Sequence, residues 1–142
     1  MQGQALEVDL FFDELHAYLK ARFHYKKAMG KVNALNHKTI SIDRSRVSMY
    51  LRYKSGYYSE NQLVIARLAF KEQRQGHGSD LLRFLCAVSG KYGIRSIALE
   101  QTNINSSAFA SRLGFKEVVD KYWVISTEDL AAVLSKRPVM SA

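Results

Sequence analysis

The stretch from Leu63 to Phe70 (Leu-Val-Ile-Ala-Arg-Leu-Ala-Phe) is apolar except at Arg67. Its length and composition fit a strand near the middle of a sheet, buried on both faces. The chain leaves this strand through Lys-Glu-Gln-Arg-Gln-Gly-His-Gly and enters an amphipathic run from about Ser79 to Lys91. There Leu81, Leu82, Leu85 and Val88 recur at helical spacing, and Gly90 or Gly93 ends the helix. Ile94 to Glu100 reads as a further strand. Two strands joined through a helix pair in parallel, so the core of this chain is α/β.

The flanking segments complete a mixed sheet. From Asp9 to Met29, Phe12, Leu15, Leu19 and Phe23 form one helical stripe, with Asp9 as N-cap and Gly30 as stop. Lys31 to His37 reads as a connector. Thr39, Ile40 and Ile42 then indicate one strand. In the next, Val47, Met49, Leu51 and Tyr53 point one way and Arg46, Ser48, Tyr50 and Arg52 the other. Gly56 and Ser59-Glu60-Asn61 mark a turn. Asn105 to Leu113 is a short helix closed by Gly114, Val118 to Ile125 is β-rich, and Ser126 with Asp129 forms a capping box for a last helix to about Leu134.

Composition bounds what such a chain does. Its 142 residues, 47% hydrophobic, suit a single domain over 1–142. No apolar run reaches the ~18 residues of a membrane span, and Met1 to Asp9 has no basic n-region. A cytoplasmic location is expected. The single cysteine, Cys86, excludes an internal disulfide and a clustered-thiolate zinc site and reads as a helix-core residue. His16, His24 and His37 have no metal-binding spacing, so no metal site is expected. The net charge is +8, and the excess is local. Lys20, Arg22, Lys26, Lys27, Lys31, Lys38, Arg44, Arg46, Arg52 and Lys54 share their segment with one acid, Asp43. Such a field attracts an anionic partner: a phosphorylated cofactor, an acidic substrate or nucleic acid.

Gln73-Arg74-Gln75-Gly76-His77-Gly78 carries the most chemistry. Glycines at 76 and 78 let main chain approach a ligand, and free amides at the following helix start suit a phosphate or pyrophosphate. The loop is too short for a Walker A motif and lacks the third glycine of a dinucleotide fingerprint. Gln73-x-x-Gly76-x-Gly78 followed by Leu81-Leu82 resembles the acyl-CoA loop of the GNAT superfamily of N-acetyltransferases. Asn103, with Ser111-Arg112-Leu113-Gly114-Phe115 after it, is similar to that family's second signature. The resemblance spans about Leu63 to Phe115.

This resemblance implies a three-layer α/β domain, its mixed, partly parallel twisted sheet flanked by helices. It also implies an acyl-CoA-dependent N-acyltransferase. Acetyl-CoA would lie in a splay between the central strand and Ile94–Glu100. Backbone amides of Gln73, Arg74, Gln75, Gly76, His77 and Gly78 would hold its pyrophosphate, with the His77 side chain facing solvent. Leu68 and Phe70 would pair with the pantetheine arm, and Asn103 would anchor it. A primary amine would attack the thioester directly. The acceptor site would be bordered by the basic segment, so the acceptor would be acidic or borne on a macromolecule. Little chain precedes Asp9, so the family's first strand is short or missing, and the exposed sheet edge suits homodimer pairing.

Two catalytic positions of the family are empty. The Tyr on the short helix is Ala110, and the Glu at the start of the central strand is Gln62. Glu100, at a strand end beside the splay, and Glu60, ahead of the central strand, are the replacement bases. Ser111, Tyr57, Tyr58 or Tyr122 would protonate the leaving thiolate. These gaps sustain an alternative, a non-catalytic GNAT-like module that grips an acidic protein or nucleic acid with its basic face. Nucleic-acid binding would use the basic helix with Arg44, Arg46 and Arg52, Phe23, Tyr25, Tyr50 and Tyr53 being interleaved for stacking, and would weaken steeply with salt.

Overall fold

The computed structural model describes residues 6–56, 59–100 and 104–138. In chain order the elements are α1 (Glu7–Phe23), β1 (Gly30–Val32), β2 (Thr39–Asp43), β3 (Val47–Arg52), β4 (Gln62–Phe70), α2 (His77–Tyr92), β5 (Ser96–Glu100), α3 (Ile104–Arg112), β6 (Lys116–Val119), β7 (Tyr122–Ser126) and α4 (Thr127–Leu134). The strands form one mixed sheet in the order β1-β2-β3-β4-β5-β7-β6, flanked by the four helices. Every pairing is antiparallel except β4 with β5, which α2 connects. β4 is central, as its apolar sequence predicts. Among the described residues no helix is long and apolar enough to cross a membrane.

The N-terminal third departs from expectation. α1 ends at Phe23 rather than Met29, because His24 adopts a left-handed conformation (φ 62°) that closes the helix. Its buried stripe is Val8, Phe11, Leu15, Leu19 and Phe23, with Phe12 to one side. The Lys31–His37 connector is shorter than expected, since Gly30–Val32 is an edge strand paired with Ile40–Ile42. Gly30 permits that pairing: a Cβ there would lie 1.8 Å from the Ser41 carbonyl oxygen. Among the described residues no strand precedes α1.

Elsewhere, periodicity became packing directly. β3 buries Val47, Met49 and Leu51 and turns Ser48, Tyr50 and Arg52 the other way. α2 buries Leu81, Leu82, Leu85 and Val88, and Gly93 (φ 67°) ends it, while Gly90 lies within the helix. The Ser126 hydroxyl accepts from the Asp129 amide at 3.1 Å and caps α4. Buried residues of all four helices join one core with Ile40, Ile42, Leu63, Ile65, Ile97 and Ile125 of the strands. The alternate face of β4, β5 and β7 carries a small second cluster, Val64, Ala98 and Tyr122 with Val124.

Candidate functional site

The parallel pairing of β4 with β5 runs from Gln62 opposite Ser96 to Ile65 opposite Leu99 and stops there. Among the described residues, β4 continues to Phe70 alongside β3 alone. At this point the register against β3 shifts. Leu51 faces Ile65 and Tyr50 faces Arg67, leaving Ala66 as an extra residue. Such a β-bulge bends its strand, and this one lies where β4 and β5 part. Beyond it, the Lys71 amide donates to the Arg46 carbonyl at 3.1 Å. By antiparallel alternation Arg67, Ala69 and Lys71 then address β3, and Leu68 and Phe70 turn N–H and C=O toward the opening. Those groups have no partner among the described residues. An extended ligand bearing amides fits there as an added strand would.

The glycine loop lies at the end of this opening. Arg74 (φ 61°) and Gly76 (φ 74°) both have positive φ, so the loop turns sharply into the start of α2. Gly76 caps α2 without any side-chain hydrogen bond. The first helical bond runs from the Asp80 amide to the Gly76 carbonyl at 2.9 Å. The amides of His77, Gly78 and Ser79 stay free of helical partners at the positive end of a 16-residue helix. Gly78 has a further reason to be glycine: a Cβ there would come within 3.2 Å of the Phe109 ring, so it also seats α3 against α2.

The His77 side chain does not face solvent. It is buried, with ring centroids 4.7 Å from Phe23 and 5.3 Å from Phe70. Its Nδ1 accepts from Arg22 Nε at 3.0 Å. Burial, then the Arg22 and Arg46 cations, hold its pKa below the ordinary value. Arg22 also pairs with Asp80 at 3.0 Å and reaches the Gln75 carbonyl at 3.4 Å. In the sequence Arg22 is one cation among many, since nothing local ties it to a loop more than fifty residues away.

The other candidates are spread along the sheet. Glu100, the last residue of β5, lies at the mouth of the opening. Its two oxygens accept from the Arg52 guanidinium at 2.9 and 2.5 Å. Glu60 is exposed in the turn before β4, at the strand end opposite the opening. Gln62 is buried and engaged at both ends of its amide: it donates to Ser96 Oγ at 3.0 Å and accepts from the Tyr122 hydroxyl at 2.6 Å. That bond occupies Tyr122 away from the opening. Ala110 is wholly buried and Ser111 exposed. Gln73, Arg74 and Gln75 are exposed. Asn103, Tyr57 and Tyr58 lie outside the described residues. Cys86 packs on α2, its thiol pushed up to about 11 by burial.

The basic segment is less bare in space than in sequence. Arg22 pairs with Asp80, Arg46 with Glu72, Arg52 with Glu100 and Lys54 with Glu7. Each of these acids comes from outside the segment. Lys26, Lys27, Lys31 and Lys38 stay exposed, with no acidic partner among the described residues.

No family model and no curated protein matches this chain. Solved structures do. A KacTA–DNA complex is 20% identical, with 70% of this chain and 72% of that chain covered and a TM-score of 0.47. Tetrahymena GCN5 is 13% identical, with 89% and 91% covered and a TM-score of 0.46. The CoA-dependent acyl-homoserine lactone synthase MesI is 10% identical, with 93% of each chain covered and a TM-score of 0.46. With a strand–glycine loop–helix unit, a parted β4 and β5 and a closing hairpin, the fold is GNAT-like. One fold hosts many chemistries, so function rests on the site.

Proposed function

We propose that the chain is an acyl-CoA-dependent N-acyltransferase that transfers an acetyl group to a primary amine. One observation carries this reading: the opening beyond Ile65 and Leu99, edged by the backbone of Leu68 and Phe70, which has no partner among the described residues, and ending at the glycine loop Arg74–Gly78. Amides along one side suit an amide-bearing arm, and the loop suits a pyrophosphate. Acetyl-CoA supplies an activated thioester at such a site. The acceptor nitrogen bonds to the acyl carbon as the thiolate leaves, and a base takes the ammonium proton. Glu100 is the candidate base, because its carboxylate stands where the strands part. The Arg52 pair orients it and leaves each oxygen a further lone pair. The four exposed lysines favour an acidic acceptor or one on a macromolecule.

A second reading, a binding module without turnover, is favoured by the buried Ala110 in place of an acid. Calorimetric titration with acetyl-CoA and CoA, followed by thiol release with amine acceptors, separates the two. Micromolar binding and turnover are expected, with Glu100→Gln lowering kcat by about 10²-fold or more. Binding without turnover on any acceptor would support the module, and no binding at low salt would remove acyl-CoA from the account. Full activity in Glu100→Gln would dismiss that carboxylate as the base.

A further inference from the structure

Arg22, from the last turn of α1, touches three separate points around the start of α2. Its guanidinium reaches the Gln75 carbonyl (3.4 Å), His77 Nδ1 (3.0 Å) and the Asp80 carboxylate (3.0 Å). A planar guanidinium that satisfies three acceptors fixes their relative positions, which a flexible ammonium does not. Asp80 is held again by the Tyr18 hydroxyl at 2.5 Å, and Tyr18 stacks on Phe84 at 4.4 Å. The loop is therefore braced by α1, through contacts that leave the amides at the start of α2 without helical partners.

We propose that Arg22 is a positioning residue of the anion-binding loop, acting through the neutral imidazole of His77, and that protonation of this imidazole loosens the loop and weakens acyl-CoA binding. The proposal rests on reading the loop as the acyl-CoA site. Arg22 Nε is a donor, so His77 Nδ1 must be an acceptor and its ring proton must sit on Nε2. Protonation puts a donor against a donor and a second cation against the first. The ring is wedged between Phe23 of α1 and Phe70, the residue whose backbone edges the opening, so its displacement is felt by loop and opening together. The charged groups that face it are Arg22 from α1, Arg46 from the turn before β3, Glu72 from the segment after β4 and Asp80 from α2. Two cations and burial oppose protonation, and two carboxylates favour it.

The test uses the full chain and two readouts. Amide NMR of Gln75, Gly76 and Gly78 without ligand follows the loop as the His77 ring titrates, and calorimetry with acetyl-CoA at about pH 7.5 and 5.5 follows binding. In the wild type the loop amides should shift with the ring, and affinity should fall toward the lower pH. His77→Asn, whose amide oxygen accepts from Arg22 and never protonates, should give a flatter affinity profile. The difference between the two profiles removes the contribution of the ligand's own phosphates. Arg22→Met should weaken acetyl-CoA about tenfold or more at pH 7.5, as the loss of a charged hydrogen-bond network does, and Arg22→Lys should restore only part. Loop amides indifferent to the ring titration would overturn the proposal. So would superimposable wild-type and His77→Asn profiles, or an unchanged affinity in folded Arg22→Met. If the wild type binds no acetyl-CoA, the acyl-CoA reading fails, and the ligand-free NMR titration still decides whether Arg22 and His77 hold the loop.

Discussion

From Gln62 to Ile65, β4 is paired with β5, its Val64 and Ile65 are paired with β3 as well, and every residue is buried. From Ala66 to Phe70 it keeps only β3 among the described residues, and exposure alternates along it. Both halves are apolar strand with the same intrinsic preference, so composition does not divide them. The division comes from the extra residue Ala66 and from β5 ending at Glu100 while β4 runs on. One half is spent on stability, and the other keeps main-chain groups in hand for a ligand. A binding site made of backbone needs only that a neighbour be absent on one side.

Leu63→Ala acts wholly within the paired half, where the side chain has no exposure. Removing it should cost about 2–5 kcal/mol of unfolding free energy. Urea denaturation measures this, and the acetyl-CoA affinity of the protein that stays folded should be unaltered. A loss below that range would mean that the paired half is not the anchor of the sheet.

Proline substitutions at two adjacent residues of the freed half sharpen the contrast. The Ala69 N–H addresses β3, so Ala69→Pro deletes a ladder bond and should destabilise the fold by a few kcal/mol. The Leu68 N–H faces the opening, so Leu68→Pro should cost less stability and weaken acetyl-CoA instead. Thermal unfolding and calorimetry on both variants would show whether the two effects separate. Equal destabilisation by the two prolines would refute the assignment of free backbone to Leu68.

How far this site was legible follows from where its information lies. The β4 core, the alternation of β3, the leucine stripe of α2 and the Ser126 cap are local patterns, and they folded as local patterns do. The end of α1 depended on a left-handed His24, a conformation that composition does not announce. β1 is three residues, Gly-Lys-Val, too short to show a period. The placement of His77 depended on Phe23 and Arg22, and the partial neutralisation of the basic segment on Asp80, Glu72, Glu100 and Glu7, all distant in sequence. The loop motif itself could be read, but what holds it could not.

The smallest effect separates the site from its support through pH. His16 stacks on Phe12 at 5.0 Å, and its Nε2 accepts from the Met29 amide at 2.9 Å, a bond that only the neutral ring makes. Burial and then Lys20 hold its pKa below the ordinary 6.5. His77 is depressed in the same direction, by burial and then by Arg22 and Arg46. Between the folded and unfolded values the unfolded chain binds more protons, so stability falls as pH drops below about 6.5 and is whole above it. The carboxylates of Glu7 and Glu14, lowered chiefly by the Tyr53 and Tyr92 hydroxyls, act only at more acid pH, below 4.5. A fall of a few degrees in Tm between about pH 7 and 5.5 therefore belongs to the imidazoles. His16→Gln should remove part of that fall without altering the pH profile of acetyl-CoA binding, because His16 secures the segment after α1 and not the loop. A change in that binding profile would mean that the end of α1 and the loop respond to protons as one unit, and the division between support and site would have to be drawn further from β4.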